Sequence, residues 1–185
     1  GADVDFVDSA ASRLIDDLRR VLVQQPDGSM QEQLGPHVEP VQLQVVCYRL
    51  WNNLKPDETQ ITEEQLANVG DVDQSLADYY AEKVGEIAQQ TGVSERAIRG
   101  WMERQLITEG GFRGQVLMGE GESEGLDNEA IFLLLDAHLI RGEKRRGATW
   151  FELAHDRLIN PVRRDNATWT QAHLSTLQIQ ATLWE

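Results

Sequence analysis

The sequence predicts a mainly α-helical protein: a helical domain over residues 1–70, then a three-helix bundle with a small antiparallel β-sheet over residues 71–165. Apolar residues recur at the three- and four-residue spacing of amphipathic helices along most of the chain. Strand candidates are short and lie after residue 110. The length of 185 residues suits one ordinary domain or two small ones. Residues 166–185 are predicted to form a C-terminal helix or linker.

The first part begins with a predicted amphipathic helix over residues 7–23. Its apolar side chains fall at helical spacing: Ala11, Leu14, Ile15, Leu18, Val21 and Leu22. The run Pro26-Asp27-Gly28 supplies turn residues that end this helix. Residues 29–37 are polar and are predicted to form a loop.

A central helix and a short helix complete the first part. Pro40 suits a first helical turn, because a proline there forfeits no helical hydrogen bond. A wide apolar stripe then predicts a central, buried helix: Leu43, Val46, Cys47, Leu50, Trp51 and Leu54. Lys55-Pro56-Asp57 breaks this helix. Thr62 and Gln65 form a capping box for a short helix that ends near Gly70.

Two helices open the second part. The first stops near Thr91-Gly92, and its apolar face consists of Leu76, Tyr80, Val84 and Ile87. Ser94 is the predicted N-cap of the second helix, and Glu95 is well placed for the helix dipole. The predicted buried face of this second helix consists of Ala97, Ile98, Trp101, Met102 and Leu106.

A third helix and a small sheet follow. Residues 113–119 are a strand candidate, and residues 120–128 are a polar, glycine-rich loop. Asp127 or Asn128 is placed to cap the third helix. Its predicted inward side chains are Ile131, Leu134, Leu135 and Leu139. Residues 139–155 are predicted to form two strands joined by a basic turn.

The order of these elements is that of a winged helix. Helix, helix, strand, helix, strand, strand is the sequence of a three-helix bundle with a small sheet, in which the last hairpin forms the wing. Residues 156–185 are predicted to be helical, with Pro161 as a kink or break.

The composition disfavours several classes of protein. A net charge of -14 repels phosphate backbones over a distance of about 10 Å. No apolar run reaches the roughly 18 residues of a membrane span, and the start lacks a signal-peptide pattern. The single cysteine, Cys47, excludes an internal disulfide and fits a reducing compartment. We therefore expect a cytoplasmic protein with no membrane partner.

No motif for catalysis or metal binding is present. The sequence lacks the GxxxxGK[ST] phosphate loop and the G-x-S-x-G nucleophile motif. The four histidines have no Cys or His partner at the spacing of metal ligands. Cys47 lies on an apolar stripe and is expected to be a small buried hydrophobe. The chain alone is therefore expected to have no catalytic residue, no metal site and no cofactor of its own.

The predicted wing carries a basic cluster whose candidate contacts are Arg141, Lys144, Arg145 and Arg146. In a DNA-binding winged helix the third helix enters the major groove and the wing contacts phosphates. Here the third helix carries Asp127, Glu129 and Asp136 and no Lys or Arg before the wing. This pattern disfavours nucleic-acid binding. A winged-helix DNA-binding transcription regulator remains the alternative function.

The segment WFELAHDRL, residues 150–158, places His155 and Asp156 between a predicted strand and a predicted helix. The simplest physical role is that Asp156 caps the helix that begins at Arg157. A catalytic dyad is disfavoured, because residues adjacent in sequence cannot readily orient one another and no nucleophile motif accompanies them. A ligand sensor is the third interpretation.

Several segments resemble the region after the P-loop domain in bacterial STAND-class signalling ATPases of the novel STAND NTPase type. These segments are VEPVQLQVVCYRLW, ITEEQLANVGDVDQSLADYY, SERAIRGWMERQLIT, GLDNEAIFLLLDAHLIR and RGATWFELAHDRLINPVRRDN. The resemblance covers about residues 5–185, and ELAHDRLINP is its most specific part. In that family a P-loop domain is followed by a small helical domain and a winged-helix domain, often with sensor or scaffold repeats further on.

The resemblance implies a regulatory role. ADP with Mg would be held between these parts in a closed state, and exchange for ATP would permit opening and self-association. Ala154-His155-Asp156 matches the Met-His-Asp or Leu-His-Asp motif of the family, except that Ala replaces a larger apolar residue. The match implies that His155 senses the nucleotide phosphate, supported by Asp156 and Arg157.

The match to the family is incomplete, because the P-loop and the catalytic apparatus are missing from this sequence. The chain is therefore not expected to hydrolyse ATP. The implied partners are the P-loop NTPase domain of the same parent chain, downstream sensor or repeat domains, and further copies in the active state.

Overall fold

The computed structural model describes residues 4–25, 30–55, 58–69 and 72–173. Over these ranges the protein is mainly α-helical with small β-sheets, which confirms the predicted class. The chain divides into two compact units, Gly1–Tyr79 and Tyr80–Glu185. The domain boundary predicted after residue 70 lies outside the described residues, as does the predicted C-terminal segment beyond residue 173.

The described part of the first unit consists of short strands and helices. In chain order these are β1 Asp5–Phe6, α1 Asp8–Leu18, β2 Arg20–Gln24, β3 Met30–Leu34, α2 Pro40–Asn53, β4 Gln60–Ile61 and α3 Glu63–Val69. α4, Val72–Thr91, continues into the second unit. β1 pairs with β4 in parallel, and β2 pairs with β3 in an antiparallel ladder.

A β-ladder replaces the end of the first predicted helix. α1 stops at Leu18, so the helix prediction is wrong for residues 19–23, and the loop prediction is wrong where β3 forms. The branched side chains of Val21 and Val23 suit an extended chain. Arg20 and Glu32 add a cross-strand ion pair of 3.1 Å. The predicted turn at residues 26–28 lies outside the described residues.

α2 starts at Pro40 as predicted, and its buried face shares Val46 and Leu50 with the predicted stripe. Its buried side chains are Gln42, Val45, Val46 and Leu50. Leu43 and Trp51 are 38% and 54% exposed, so the prediction that they are buried is wrong. α2 is apolar around more than half its circumference, and α3 packs against it on one side. Cys47 is half-buried, and this burial raises the pKa of its thiol.

The predicted capping box at the start of α3 is confirmed. Gln65 Oε1 accepts a hydrogen bond from the Thr62 N–H at 2.7 Å. Thr62 Oγ1 accepts from the Gln65 N–H at 3.4 Å. These bonds satisfy two N–H groups that a helix start leaves without partners. The predicted helix end at Gly70 lies outside the described residues.

The second unit alternates helices with short strands. After α4 come α5 Glu95–Leu106, β5 Val116–Leu117, β6 Glu122–Ser123, β7 Leu126–Asp127, α6 Asn128–Asp136, β8 Ile140–Arg145, β9 Ala148–Leu153, the 3₁₀ turn η1 Asp156–Leu158 and α7 Ile159–Ala172. β9 lies between β5 and β8 in an antiparallel three-stranded sheet. The loop predicted over residues 120–128 instead contains the tight β6–β7 hairpin, whose turn residues Glu124 and Gly125 have positive φ.

Caps and most core positions in this unit follow the predictions, but Ala97 and Leu135 are only half-buried. Ser94 Oγ accepts from the Ala97 N–H at 3.2 Å, and the Asp127 side chain accepts from the Glu129 N–H at 2.7 Å. The predicted inward residues that are buried include Tyr80, Val84, Ile87, Ile98, Trp101, Met102, Leu106, Ile131, Leu134 and Leu139. The predicted break at Pro161 is wrong, because it lies in the first turn of α7, where helical N–H groups have no partner within the helix.

A buried polar network joins α7 to α5 and to Tyr80 of α4 in this unit. Arg99 is only 4% exposed. Its side-chain partners are Glu95, Asp165 and Asn166. The Tyr80 hydroxyl donates to Asn166 Oδ1 at 2.9 Å, and the Arg99 guanidinium lies 5.3 Å from the Trp169 ring centroid. The bonds from Tyr80 and Arg99 to α7 link residues far apart in sequence, and the bond from Arg99 to Glu95 links adjacent turns of α5.

Tyr80→Phe is expected to flatten the alkaline stability profile. Burial, opposed by the nearby charge of Arg99, raises the pKa of Tyr80 above its ordinary value of 10.0. A raised pKa adds stability that is complete below pH 10 and is lost as the pH rises further. Melting temperatures between pH 8 and 11.5 test this. The wild type should lose stability above pH 10 more steeply than Tyr80→Phe, and parallel curves would contradict the assignment.

None of the helices in the described ranges combines the length and the apolar character that crossing a membrane requires.

Candidate functional site

The predicted sensor His155 lies at the junction of β9 and η1. β9 ends at Leu153, and the Ala154 N–H donates to Leu139 O at 3.1 Å. His155 has extended backbone and is the N-cap of η1: its Nδ1 accepts from the Arg157 N–H at 3.0 Å. The cap is therefore the imidazole, and the prediction that Asp156 caps this helix is wrong. The sequence favours Asp156 over His155 as the N-cap, because aspartate is a common N-cap residue and histidine is not.

The cap defines which nitrogen of the His155 ring accepts a hydrogen bond. Nδ1 accepts a hydrogen bond, so it carries no hydrogen, and the neutral ring carries its hydrogen on Nε2. Protonating Nδ1 would break the bond to the Arg157 N–H. The ring that keeps this cap therefore has Nε2 as its donor.

Asp156 is held by Arg113 on the segment before β5. Arg113 Nε donates to Asp156 Oδ1. Arg113 Nη1 donates to Glu152 Oε1 and to Leu153 O, each at 3.4 Å. One guanidinium therefore contacts the chain on both sides of His155, which fixes the path from β9 into η1.

Glu152 is the buried acid of this network, with 5% of its surface exposed. It accepts from Gln115 Nε2 at 2.8 Å and from Arg141 Nε at 2.6 Å, and Arg113 adds a third contact. Burial alone would raise its pKa, but the hydrogen bonds from Gln115 and Arg141 and the charges of Arg113 and Arg141 outweigh it. The pKa of Glu152 is consequently below its ordinary value of 4.5.

The four predicted wing residues lie on β8 and in the β8–β9 turn. Arg141 pairs with Glu152, and Arg145 pairs with Glu143 and donates to Gln115 at 3.1 Å. The turn is a two-residue one at Arg146-Gly147, with φ of 50° and 83°. Lys144 and Arg146 form no ion pair or hydrogen bond with any described side chain.

Positive charge is concentrated around this junction. Residues 140–164 contain seven Lys and Arg against three Asp and Glu, a net charge of +4 in a chain of net charge -14. Arg113 adds a further cation from outside this range. The junction is therefore a local exception to the field that elsewhere repels anions.

Three residues of the site were not predicted from the sequence: Arg113, Gln115 and Glu152. Glu152 alternates with Phe151 and Leu153 in a predicted strand, so it lies on the opposite face of the sheet. A buried carboxylate in such a strand requires hydrogen-bond donors or cations as partners. The partners themselves lie 39 and 37 residues earlier in the chain, where no local pattern points to them.

Within the part of the chain that the structure describes, no group of three or more His, Cys, Asp or Glu side chains is placed to hold a metal ion. The chain has no match among protein-family models, curated proteins or solved structures.

Proposed function

We propose that this chain is the regulatory helical and winged-helix arm of a bacterial STAND-class signalling ATPase. In this role it couples the ADP or ATP state of a P-loop domain to opening and self-association of a cytoplasmic parent protein, and it performs no catalysis itself. The order α4, α5, β5, α6, β8, β9, with the β6–β7 hairpin added before α6, supports a winged-helix arrangement.

The observation that carries the proposal is the position and ring state of His155. The ring ends β9 within the Ala154-His155-Asp156 motif, and its cap leaves the hydrogen on Nε2. An N–H that donates to a phosphate oxygen makes a charge-assisted bond, which is stronger than a neutral one. The surrounding net charge of +4 favours the approach of a polyphosphate.

The residues present fit one arm of a nucleotide site. ADP with Mg would be held chiefly by the P-loop domain, while His155 would contact a phosphate oxygen from this chain. The phosphate groups of the nucleotide are the anion that differs between the ADP and ATP states. Because His155 is fixed to η1 and β9, a phosphate that it binds would favour one placement of the arm, and linkage makes the reverse effect equal.

The alternative, a DNA-binding transcription regulator, has weaker support. Lys144 and Arg146 are cations at the β8–β9 turn, but Arg141 and Arg145 are neutralised by acids. α6 presents Glu129, Phe132 and Asp136 to solvent. An acidic and aromatic helix face is a poor reader of base edges. Tight duplex binding with a steep salt dependence would favour this alternative.

Two substitutions at His155 in the intact parent protein separate sensing from capping. His155→Ala removes the ring and the cap, whereas His155→Ser removes the ring and keeps a side-chain cap. Both are expected to weaken ADP retention roughly tenfold or more, the equivalent of one charge-assisted hydrogen bond, and to alter nucleotide-dependent oligomerisation. Retained ADP after desalting, measured by chromatography, and light scattering on a sizing column are the measurements.

The control is His138→Asn, at an exposed histidine whose positive φ of 54° asparagine tolerates. It should behave as the wild type. If His155→Ser also behaves as the wild type while His155→Ala does not, His155 is only a cap and the sensor role is wrong.

A further inference from the structure

Arg113 contacts the chain on both sides of the candidate sensor His155. Its guanidinium bonds Glu152 and Leu153 before His155 and Asp156 after it. The side chain is 25% exposed, so an incoming ligand can reach it. A group that binds His155 therefore approaches a cationic donor, the guanidinium of Arg113.

The guanidinium of Arg113 is only partly used. Nη1 serves Glu152 and Leu153, and Nε serves Asp156, but no described residue accepts a hydrogen bond from Nη2. Nε and Nη2 form one edge of the guanidinium fork, which matches the two oxygens of a carboxylate or phosphate. Asp156 uses one donor of that edge with a single carboxylate oxygen, and its own side chain is 63% exposed.

We propose that Arg113 and His155 form a single phosphate-binding site in which Asp156 competes with the phosphate for Arg113. This inference rests on the proposed function and adds a second binding residue and an internal competitor to it. A phosphate has oxygens enough to accept from His155 Nε2 and from both donors of the Arg113 edge. Asp156 is the weaker occupant, because an exposed ion pair contributes little.

The competition would also transmit binding to the sheet. Arg113 belongs to the network that runs through Glu152 to Gln115 and Arg141 on the hairpin side. Releasing Asp156 frees η1 from the segment before β5, while the contacts of Glu152 hold β9 in place. The junction would thus have two states, one with Arg113 bound to Asp156 and one with Arg113 bound to a phosphate.

Titration of the chain itself with inorganic pyrophosphate tests the proposal. The backbone amide of Arg157 and the ring of His155, followed by NMR, report the dissociation constant. Arg113→Gln is expected to weaken binding roughly tenfold or more, as for one charge-assisted contact. Arg113→Lys, which keeps the charge and loses the fork, should fall between it and the wild type. Arg96→Gln, with the same charge change at an exposed arginine on α5, is the control and should change binding less than about twofold.

Asp156→Asn is the decisive variant, because a surface substitution leaves the fold intact. It is expected to tighten pyrophosphate binding about two- to fivefold, as removal of an exposed competing pair implies. Glu143→Gln makes the same charge change beside Arg145 and should have a smaller effect. Equal effects of the two acid substitutions would mean that net charge alone matters and would overturn the competition.

Failure of this inference can be told from failure of the proposed function. Binding that is lost in His155→Ser but unchanged in Arg113→Gln overturns the shared site and leaves the sensor role standing. Pyrophosphate binding that is indifferent to His155→Ser, or no binding at this junction at all, also overturns the shared site, whereas the sensor role is overturned only when His155→Ser in the intact parent protein retains ADP as the wild type does.

Discussion

Arg99→Met is expected to destabilise the second unit by about 3–5 kcal/mol, the range for removing one partner of a buried ion pair. Arg99 is nearly inaccessible, and its loss leaves the Asp165 carboxylate without its ion-pair partner and removes one of the two donors to Asn166 Oδ1. Methionine replaces the packing of the arginine stem but none of its donors. The cost is therefore mainly that of polar groups left without partners.

Denaturant unfolding followed by circular dichroism and tryptophan fluorescence measures this loss. Arg96→Met, at an exposed arginine on the same helix, is the control and should change the free energy of unfolding by less than about 0.5 kcal/mol. The double variant Arg99→Met with Asp165→Asn should recover part of the loss, because the stranded charge is removed. A cost below about 1 kcal/mol for Arg99→Met alone would show that water replaces the network.

The same network illustrates how far helical periodicity predicts this fold. The spacing of Tyr80, Val84 and Ile87 identifies the buried face of α4. In α5, Arg99 follows the buried Ile98, and its ion pair with Glu95 one turn earlier follows from helix geometry. The pairing with Asp165 does not, because it lies 66 residues away and depends on how α7 packs.

In the first unit, helical periodicity does not predict every element. Val21 fits a helical stripe by spacing, but pairing with β3 decides its conformation. In α2 the spacing of apolar residues is compatible with two adjacent faces, and tertiary contacts select the one containing Leu50 and leave Trp51 exposed. Periodicity describes which residues share a face, whereas the neighbouring element decides which face is covered.

The candidate site divides in the same way. The motif places His155 at the end of a strand, and the structure has it there. The identity of the cap and the role of Arg113 required coordinates, because both depend on side-chain direction at a turn. The local sequence pattern thus predicts where the site lies in the chain, whereas contacts between residues far apart in sequence determine which groups surround His155.

Glu152→Gln is expected to lower stability by about 2–3 kcal/mol at pH 7, the strength of hydrogen bonds that involve a charged acceptor. Glutamine keeps the shape and one acceptor oxygen but loses the negative charge that Arg113 and Arg141 contact. Glu122→Gln, at an exposed acid on β6 without an ion pair among the described residues, is the control and should stay within about 0.5 kcal/mol.

The difference between Glu152→Gln and the wild type should depend on pH in one direction. Because the folded-state pKa of Glu152 lies below 4.5, its contribution is complete above that pH and is lost as the pH falls through the folded-state value. Unfolding curves at pH 7, 5, 4 and 3 should therefore converge for the two proteins at the acid end. A constant gap would attribute the loss to packing. Convergence would show that charge on Glu152 holds Arg113, and through it the segment that carries His155, in place.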